Sequence, residues 1–262
     1  MKRREFLRKG VVLGATALLP NVEIPANTGI LSSATSAIEP LMPIWEAATG
    51  GHWGIVKELL RLDFSLINVR VPHDDGNSLL GMSVRHGNVE MMKWLIDHGA
   101  NVNGDTVCCL PLHEAVHSDK IEAITVLLDN GADIEGMGNS GVTPLLHASA
   151  CNQTESIKLL LERGADIHAR SAPNKWGEGH RWTPLHVAAS VGAIDSMRLL
   201  LEAGADTEAL DQFGKTPLDY AIEMSKESFV RMEFDQRTLN FKIVPAENNY
   251  AEAIELLRRY NR

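Results

Sequence analysis

His113-Glu114-Ala115-Val116-His117 spells H-E-x-x-H, two imidazoles one helical turn apart with a carboxylate beside the first. On a suitable helix that spacing binds zinc through both rings while the glutamate serves as general base. The surroundings oppose this chemistry: the helix opening near Pro111 has room for only about two turns, and no third ligand follows at a suitable spacing. The rest of the chain has no Gly-x-Ser-x-Gly elbow, no phosphate-cradling glycine loop ending in Lys-Ser or Lys-Thr, and no Cys-x-x-Cys. The three cysteines, Cys108, Cys109 and Cys151, are an odd set that outlines no disulfide framework, and idle or buried thiols are expected. Neither catalytic residues, nor a bound metal, nor a cofactor is expected.

The elements that carry these residues repeat. Leu110-Pro111-Leu112-His113-Glu114-Ala115, Thr143-Pro144-Leu145-Leu146-His147-Ala148, Thr183-Pro184-Leu185-His186-Val187-Ala188 and Thr216-Pro217-Leu218-Asp219-Tyr220-Ala221 are versions of one phrase. A second phrase follows the first three: Asn130-Gly131-Ala132-Asp133, Arg163-Gly164-Ala165-Asp166 and Ala203-Gly204-Ala205-Asp206. Thr before Pro is an N-cap followed by a first helical position where proline's missing N–H costs nothing. The glycine stands where a helix ends in a left-handed turn. Apolar runs such as Ile157, Leu159, Leu160 and Leu161 give the second helix a face for the first helix and the next repeat. Weaker copies open at Met42-Pro43-Ile44-Trp45 and at Asn77-Ser78-Leu79-Leu80. The opening positions 43, 79, 111, 144, 184 and 217 define six units with a period near 33.

These phrases resemble the ankyrin repeat over roughly residues 40–262. The resemblance implies an all-α solenoid of stacked helix-turn-helix units with hairpin-like connecting loops. Repeats are placed near 42–74, 75–107, 108–140, 141–173, 181–213 and 214–262, inside a domain of residues 38–262. In such proteins the His of the Thr-Pro-Leu-His phrase turns into the structure, so His113 and His117 are not expected to point the same way. Fingertips and groove-facing first helices usually carry partner contacts. That rule selects Met82, Arg85, Glu114, His117, His147 and Val187 for the groove, and His73, Asp74 and Phe213 for the fingers. Glu114, His117 and His147, on neighbouring repeats, form an alternative divalent-cation site or enzymatic centre.

Two insertions depart from the period. Residues 171–182 lengthen one finger by seven and carry Lys175, Trp176, His180, Arg181 and Trp182. Trp and Arg are enriched at binding hot spots, and loops on rigid scaffolds carry function, so Trp176, Lys175, His180 and Arg181 are candidate partner contacts. Trp182, just before Thr183, is expected to pack as a local staple. Residues 225–249 interrupt the last repeat, whose second helix resumes at Tyr250. This insertion is too apolar for a solvated linker, and Leu239 to Val244 partly alternates like a strand. It is expected to be a lid on the open end of the stack, with an apolar docking surface as the alternative.

The amino-terminal segment 1–37 stands apart. Met1-Lys2-Arg3-Arg4-Glu5-Phe6-Leu7-Arg8-Lys9 precedes an apolar run from Val11 to Leu19 and a Ser/Thr/Ala-rich tail, an arrangement that resembles a twin-arginine export signal. Its five basic and two acidic residues give +3, so a chain of net charge −9 leaves −12 on the rest. An acidic body lacks the basic footprint that nucleic acid and anionic membranes require. The expected function is a monomeric, non-catalytic scaffold that holds a protein partner in the bacterial periplasm, without stable membrane insertion of the mature chain. It would neutralise an effector or assist a periplasmic enzyme; a cytosolic adaptor is the alternative.

Overall fold

The computed structural model describes residues 43–70, 77–104, 110–138, 141–172, 180–226, 230–235, 240–245 and 250–261. The chain divides into two compact units, Met1–Leu66 and Ile67–Arg262. In the first, α1 (Ile44–Thr49) and α2 (Trp53–Leu62) pair, and a 3-10 turn, Phe64–Leu66, follows. The apolar spacing of α1 buries Ile44, Ala47 and Ala48, while α2 buries Val56 and Leu60.

The second unit is a stack of antiparallel helix pairs. They are α3 (Leu79–Arg85) with α4 (Val89–Asp97), α5 (Pro111–His117) with α6 (Ile121–Asp129), α7 (Pro144–Ala150) with α8 (Thr154–Glu162), α9 (Pro184–Val191) with α10 (Ile194–Glu202), and α11 (Pro217–Lys226) with α12 (Tyr250–Tyr260). First helices pack in the series α3, α5, α7, α9, α11, and second helices in the series α4, α6, α8, α10, α12. The successive Pro-Leu openings therefore lie side by side, as the repeat phrases predict. A continuous core of Leu79, Leu80, Met91, Met92, Leu95, Ile124, Leu127, Leu145, Leu146, Ile157 and Leu160 runs through the stack. Helices this short are marginal alone and gain most of their stability from such packing.

The repeated phrases account for the ends of the helices. Ser78 Oγ accepts from Gly81 N at 3.1 Å, and Thr143 Oγ1 from Leu146 N at 3.3 Å. Thr216 and Asp219 cap reciprocally: Asp219 N donates to Thr216 Oγ1 at 3.2 Å, and Thr216 N donates to Asp219 Oδ2 at 2.8 Å. Gly131, Gly164 and Gly204 end their helices at φ of 84°, 91° and 91°, where a side chain would be strained. The acidic residue of Gly-Ala-Asp also has a job. Asp133, Asp166 and Asp206 each accept, through Oδ1, the N–H two residues on, at 3.0, 2.8 and 2.9 Å. Neighbouring turns are then laddered, because Asn103 Oδ1 accepts from Asp133 N at 2.7 Å and Glu135 Oε1 from Asp166 N at 2.7 Å.

The second insertion contains a two-stranded antiparallel hairpin. β1 (Val230–Asp235) pairs with β2 (Asn240–Pro245), Val230 opposite Pro245 and Asp235 opposite Asn240. β2 lies where the alternation predicts a strand. β1 repeats the signal in Val230-Arg231-Met232-Glu233-Phe234-Asp235, which is missed when the segment is read only as apolar. The all-α class holds for the repeats, with this hairpin inserted between α11 and α12. The side chains that would decide between lid and docking surface lie outside the described residues. α12 itself packs on α10 and α11, with Tyr250 Oη donating to Ser190 O at 3.0 Å. No described helix is long and apolar enough to cross a membrane.

Burial corrects one sequence expectation and narrows another. Met82, assigned to the groove surface, is 2% exposed and belongs to the core, because α3 turns that position toward its neighbours. Cys151, expected to be idle or buried, caps the C-terminus of α7 and is exposed.

Candidate functional site

Two clusters of chemistry-bearing side chains stand out in the second unit. The first joins α5 and α7. His117 is the last residue of α5 and exposed; His147 is half-buried in α7, and Cys151 lies four residues on, one helical turn away. His117 Nδ1 sits 3.3 Å from His147 Nε2, with the rings edge to face and their centroids 5.4 Å apart. One ligand atom each from His117, His147 and Cys151 lie within 4.8 Å of one another.

Glu114 does not complete the expected Glu114–His117–His147 set. Its Oε1 accepts from Arg85 Nε at 3.0 Å and its Oε2 from Arg85 Nη2 at 3.2 Å, a two-pronged ion pair between α3 and α5. Arg85 and Glu114 are thus joined to each other, Arg85 remaining exposed and Glu114 buried. Val187, at the matching place on α9, is half-buried.

His113 turns inward as expected. Its Nε2 bonds Val142 O at 2.8 Å, and since a carbonyl only accepts, that nitrogen carries the proton. His186 repeats the contact two pairs later, donating from Nε2 to Lys215 O at 3.1 Å. Burial depresses the His113 pKa, against the opposing pull of the Val142 carbonyl. This side chain ties adjacent repeats together, which disposes of H-E-x-x-H as a zinc-protease signature. Burial also lowers the His147 pKa, to about 4, with His113 and His117 adding and Glu114 opposing. His147 is therefore a neutral imidazole at pH 7. Partial desolvation by its neighbours raises the pKa of the otherwise exposed Cys151 thiol.

The second cluster sits where the finger before α9 meets the finger before α11. Ser171 N donates to Trp182 O at 2.8 Å and Trp182 N to Ser171 Oγ at 2.9 Å, which closes the neck of the first insertion. His180 stacks on Trp182, centroids 4.7 Å apart, and lies 5.3 Å from the Phe213 ring. The Trp182 ring meets Tyr220 edge-on at 4.9 Å. Arg181 is exposed and takes a left-handed φ of 57°, its carbonyl accepting from Arg170 Nη1 at 3.2 Å.

Asp211 organises this cluster. Oδ1 accepts from Phe213 N at 2.8 Å and Lys215 N at 2.9 Å; Oδ2 accepts from Trp182 Nε1 at 3.3 Å and Tyr220 Oη at 2.6 Å. Burial alone would raise the Asp211 pKa, yet these bonds to Tyr220, Lys215, Phe213 and Trp182 hold it below the usual carboxylate value. Tyr220 is pushed up to about 12, by burial first and then by donating to Asp211. The turn so braced holds Phe213 outward at 62% exposed, beside Leu210 at 53%. Trp182 is the staple the sequence predicts, and the Asp211 brace beneath it is a contact that sequence order does not announce. The remaining finger candidates, His73, Asp74, Lys175 and Trp176, lie outside the described residues.

Family profiles described as ankyrin repeats match residues 17–106, 44–137 and 105–171, and a second such profile matches residues 173–221. The chain is similar to a transient receptor potential cation channel subfamily A member 1 homolog of Caenorhabditis elegans, 35% identical over 40% of this chain and 8% of that protein. It is similar to a 2-5A-dependent ribonuclease of Mus musculus, 34% identical over 29% of this chain and 10% of the other. It is also similar to potassium channel AKT2/3 of Arabidopsis thaliana, 32% identical over 35% of this chain and 11% of the other. The chain thus spans about a tenth of the length of these curated relatives.

Proposed function

The chain belongs to the ankyrin-repeat family, and we propose that it is a non-catalytic scaffold that grips a protein partner with the paired fingers before its fifth and sixth repeats. Repeats of this family serve in general as protein-interaction modules, which the relatives carry as small parts of much larger chains. The observation that carries the reading is Phe213, 62% exposed yet fixed by the Asp211 turn beside the His180–Trp182 stack. A large ring held in water forgoes about 2 kcal/mol of burial that a partner recovers. The bracing means little ordering entropy is lost on docking. Leu210, Arg181 and His180 extend the patch, and Lys175 and Trp176 occupy the apex of the same insertion in sequence.

The proposed site of action is the periplasm, reached by a twin-arginine route. Its support is the order of Arg3-Arg4, Phe6-Leu7 and the apolar run Val11 to Leu19. There the scaffold would neutralise an effector or assist a periplasmic enzyme. Affinity capture from periplasmic extract, with the intact chain and with His180→Ala/Phe213→Ala side by side, tests the surface. A protein retained by the first and lost by the second supports it; equal retention by both overturns it. Replacing Arg3-Arg4 by Lys-Lys and fractionating cells tests the route, which an unchanged distribution rejects.

A further inference from the structure

Apart from the finger surface proposed above, the α5–α7 junction brings three metal-ligating side chains together. We propose that His117, His147 and Cys151 form a surface site for one zinc-class transition-metal dication, bound by two imidazole nitrogens and one thiolate. Tetrahedral zinc with Zn–N bonds of about 2.0–2.1 Å sets its two nitrogens roughly 3.3 Å apart. His117 Nδ1 and His147 Nε2 already stand 3.3 Å apart. The matching nitrogen–sulfur edge is about 3.5 Å, and the ligand atoms lie within 4.8 Å of one another. A side-chain rotation of the exposed Cys151 closes that gap.

The stack supplies this geometry. His147 and Cys151 share one face of α7 at i, i+4 spacing, and α5 packs directly on α7. Gln153 Nε2 donates to His117 O at 3.0 Å, fastening the end of α5 to the start of α8. His117 and Cys151 both stand at helix C-termini, whose carbonyl ends favour a cation. Glu114, held by Arg85, stays outside the donor set, which is left with a pair of nitrogens and a single sulfur. Two imidazoles and a thiolate suit Zn²⁺ and its neighbours and are poor ligands for Mg²⁺ or Ca²⁺. On binding, the ring that donates in the His117–His147 contact gives up that proton to solvent and takes one on its other nitrogen, which frees the contacting nitrogen's lone pair for the metal. The Cys151 thiol releases its proton to solvent as the sulfur–metal bond forms. Three protein ligands leave the fourth tetrahedral position to water or to a ligand from outside.

Co²⁺ titration of the full chain carrying Cys108→Ser/Cys109→Ser makes Cys151 the one thiol present. The expected result is a single equivalent of Co²⁺ with a near-ultraviolet thiolate charge-transfer band, abolished by Zn²⁺ competition. Cys151→Ser should remove the band, and His117→Ala or His147→Ala should weaken binding at least tenfold. Because His117 and Cys151 are exposed, those variants should keep the parental circular dichroism. Zn²⁺ should also slow alkylation of Cys151 in the parent and not in His117→Ala. Absence of a thiolate band at one equivalent, or binding indifferent to both histidines, overturns the site.

Discussion

Asp211→Asn tests whether one buried carboxylate holds the finger patch. The side chain is 8% exposed and accepts from four donors: Phe213 N, Lys215 N, Trp182 Nε1 and Tyr220 Oη. Asparagine offers one oxygen. With that oxygen kept on the two amides, its NH2 faces the other pair; Tyr220 Oη can turn and accept, while Trp182 Nε1–H meets another N–H. One bond is lost outright and three lose their charge assistance. At about 1.5–3 kcal/mol for a hydrogen bond to a charged group and about 0.5–1.5 for a neutral one, the cost is roughly 2–4 kcal/mol. Urea unfolding followed by far-ultraviolet circular dichroism should show the midpoint falling by on the order of 1 M. A double-mutant cycle with Trp182→Phe should give a coupling of about 0.5 kcal/mol or more. The pH dependence has a definite sign. The folded pKa of Asp211 is depressed, so its stabilisation is complete above the unfolded value of about 3.9. It is lost as pH falls through the lower folded value, and the variant should lack that loss. A cost below about 0.5 kcal/mol, the range of ordinary surface changes, would refute the bracing role of Asp211.

Three further outcomes follow from the contacts. Gly81→Ala should destabilise the chain by about 1–3 kcal/mol despite alanine's better helix propensity. The added Cβ falls 1.8 Å from Oδ1 of the fully buried Asn77, and a raised melting temperature would show that Asn77 swings aside. Lys120→Met should cost about 1–2 kcal/mol in urea unfolding, because Lys120 Nζ donates to Val84 O at 2.9 Å and Arg85 O at 2.5 Å at the end of α3. His186 is fully buried, and burial lowers its pKa from 6.5 against the Lys215 carbonyl, with Asp211 and Asp206 also raising and Arg170 lowering. Its contribution is therefore complete above about pH 6.5 and fades as pH falls toward the folded value. His186→Gln should flatten the decline in melting temperature between pH 7 and 5, and an unchanged slope counts against it.

The repeat architecture was legible because its signals are local. A Thr-Pro opening, a glycine at a left-handed helix end and an apolar stripe each act within a few residues, and their recurrence states the stacking. The second phrase yielded less than it held: the Asp of Gly-Ala-Asp closes a turn on the N–H two residues later, as Asp133 does with Glu135. β2 was legible from alternation, while β1 was hidden by reading its segment as merely apolar. Repeat position placed His117 and His147 correctly as neighbours and Met82 wrongly at the surface, since one helical step separates groove from core.

By itself the sequence determined that this chain is built of two-helix repeat units and where its insertions fall. Tertiary structure alone decided their pairing. Glu114 is taken by Arg85, twenty-nine residues away in sequence, leaving Cys151 beside the two histidines, and Asp211 gathers Trp182 and Tyr220 around one carboxylate. The physical reason is range: caps and turns depend on bonds spanning two to four residues. Which side chain meets which across a repeat boundary depends on rotamers and ångström-scale register between helices, and no local phrase encodes that.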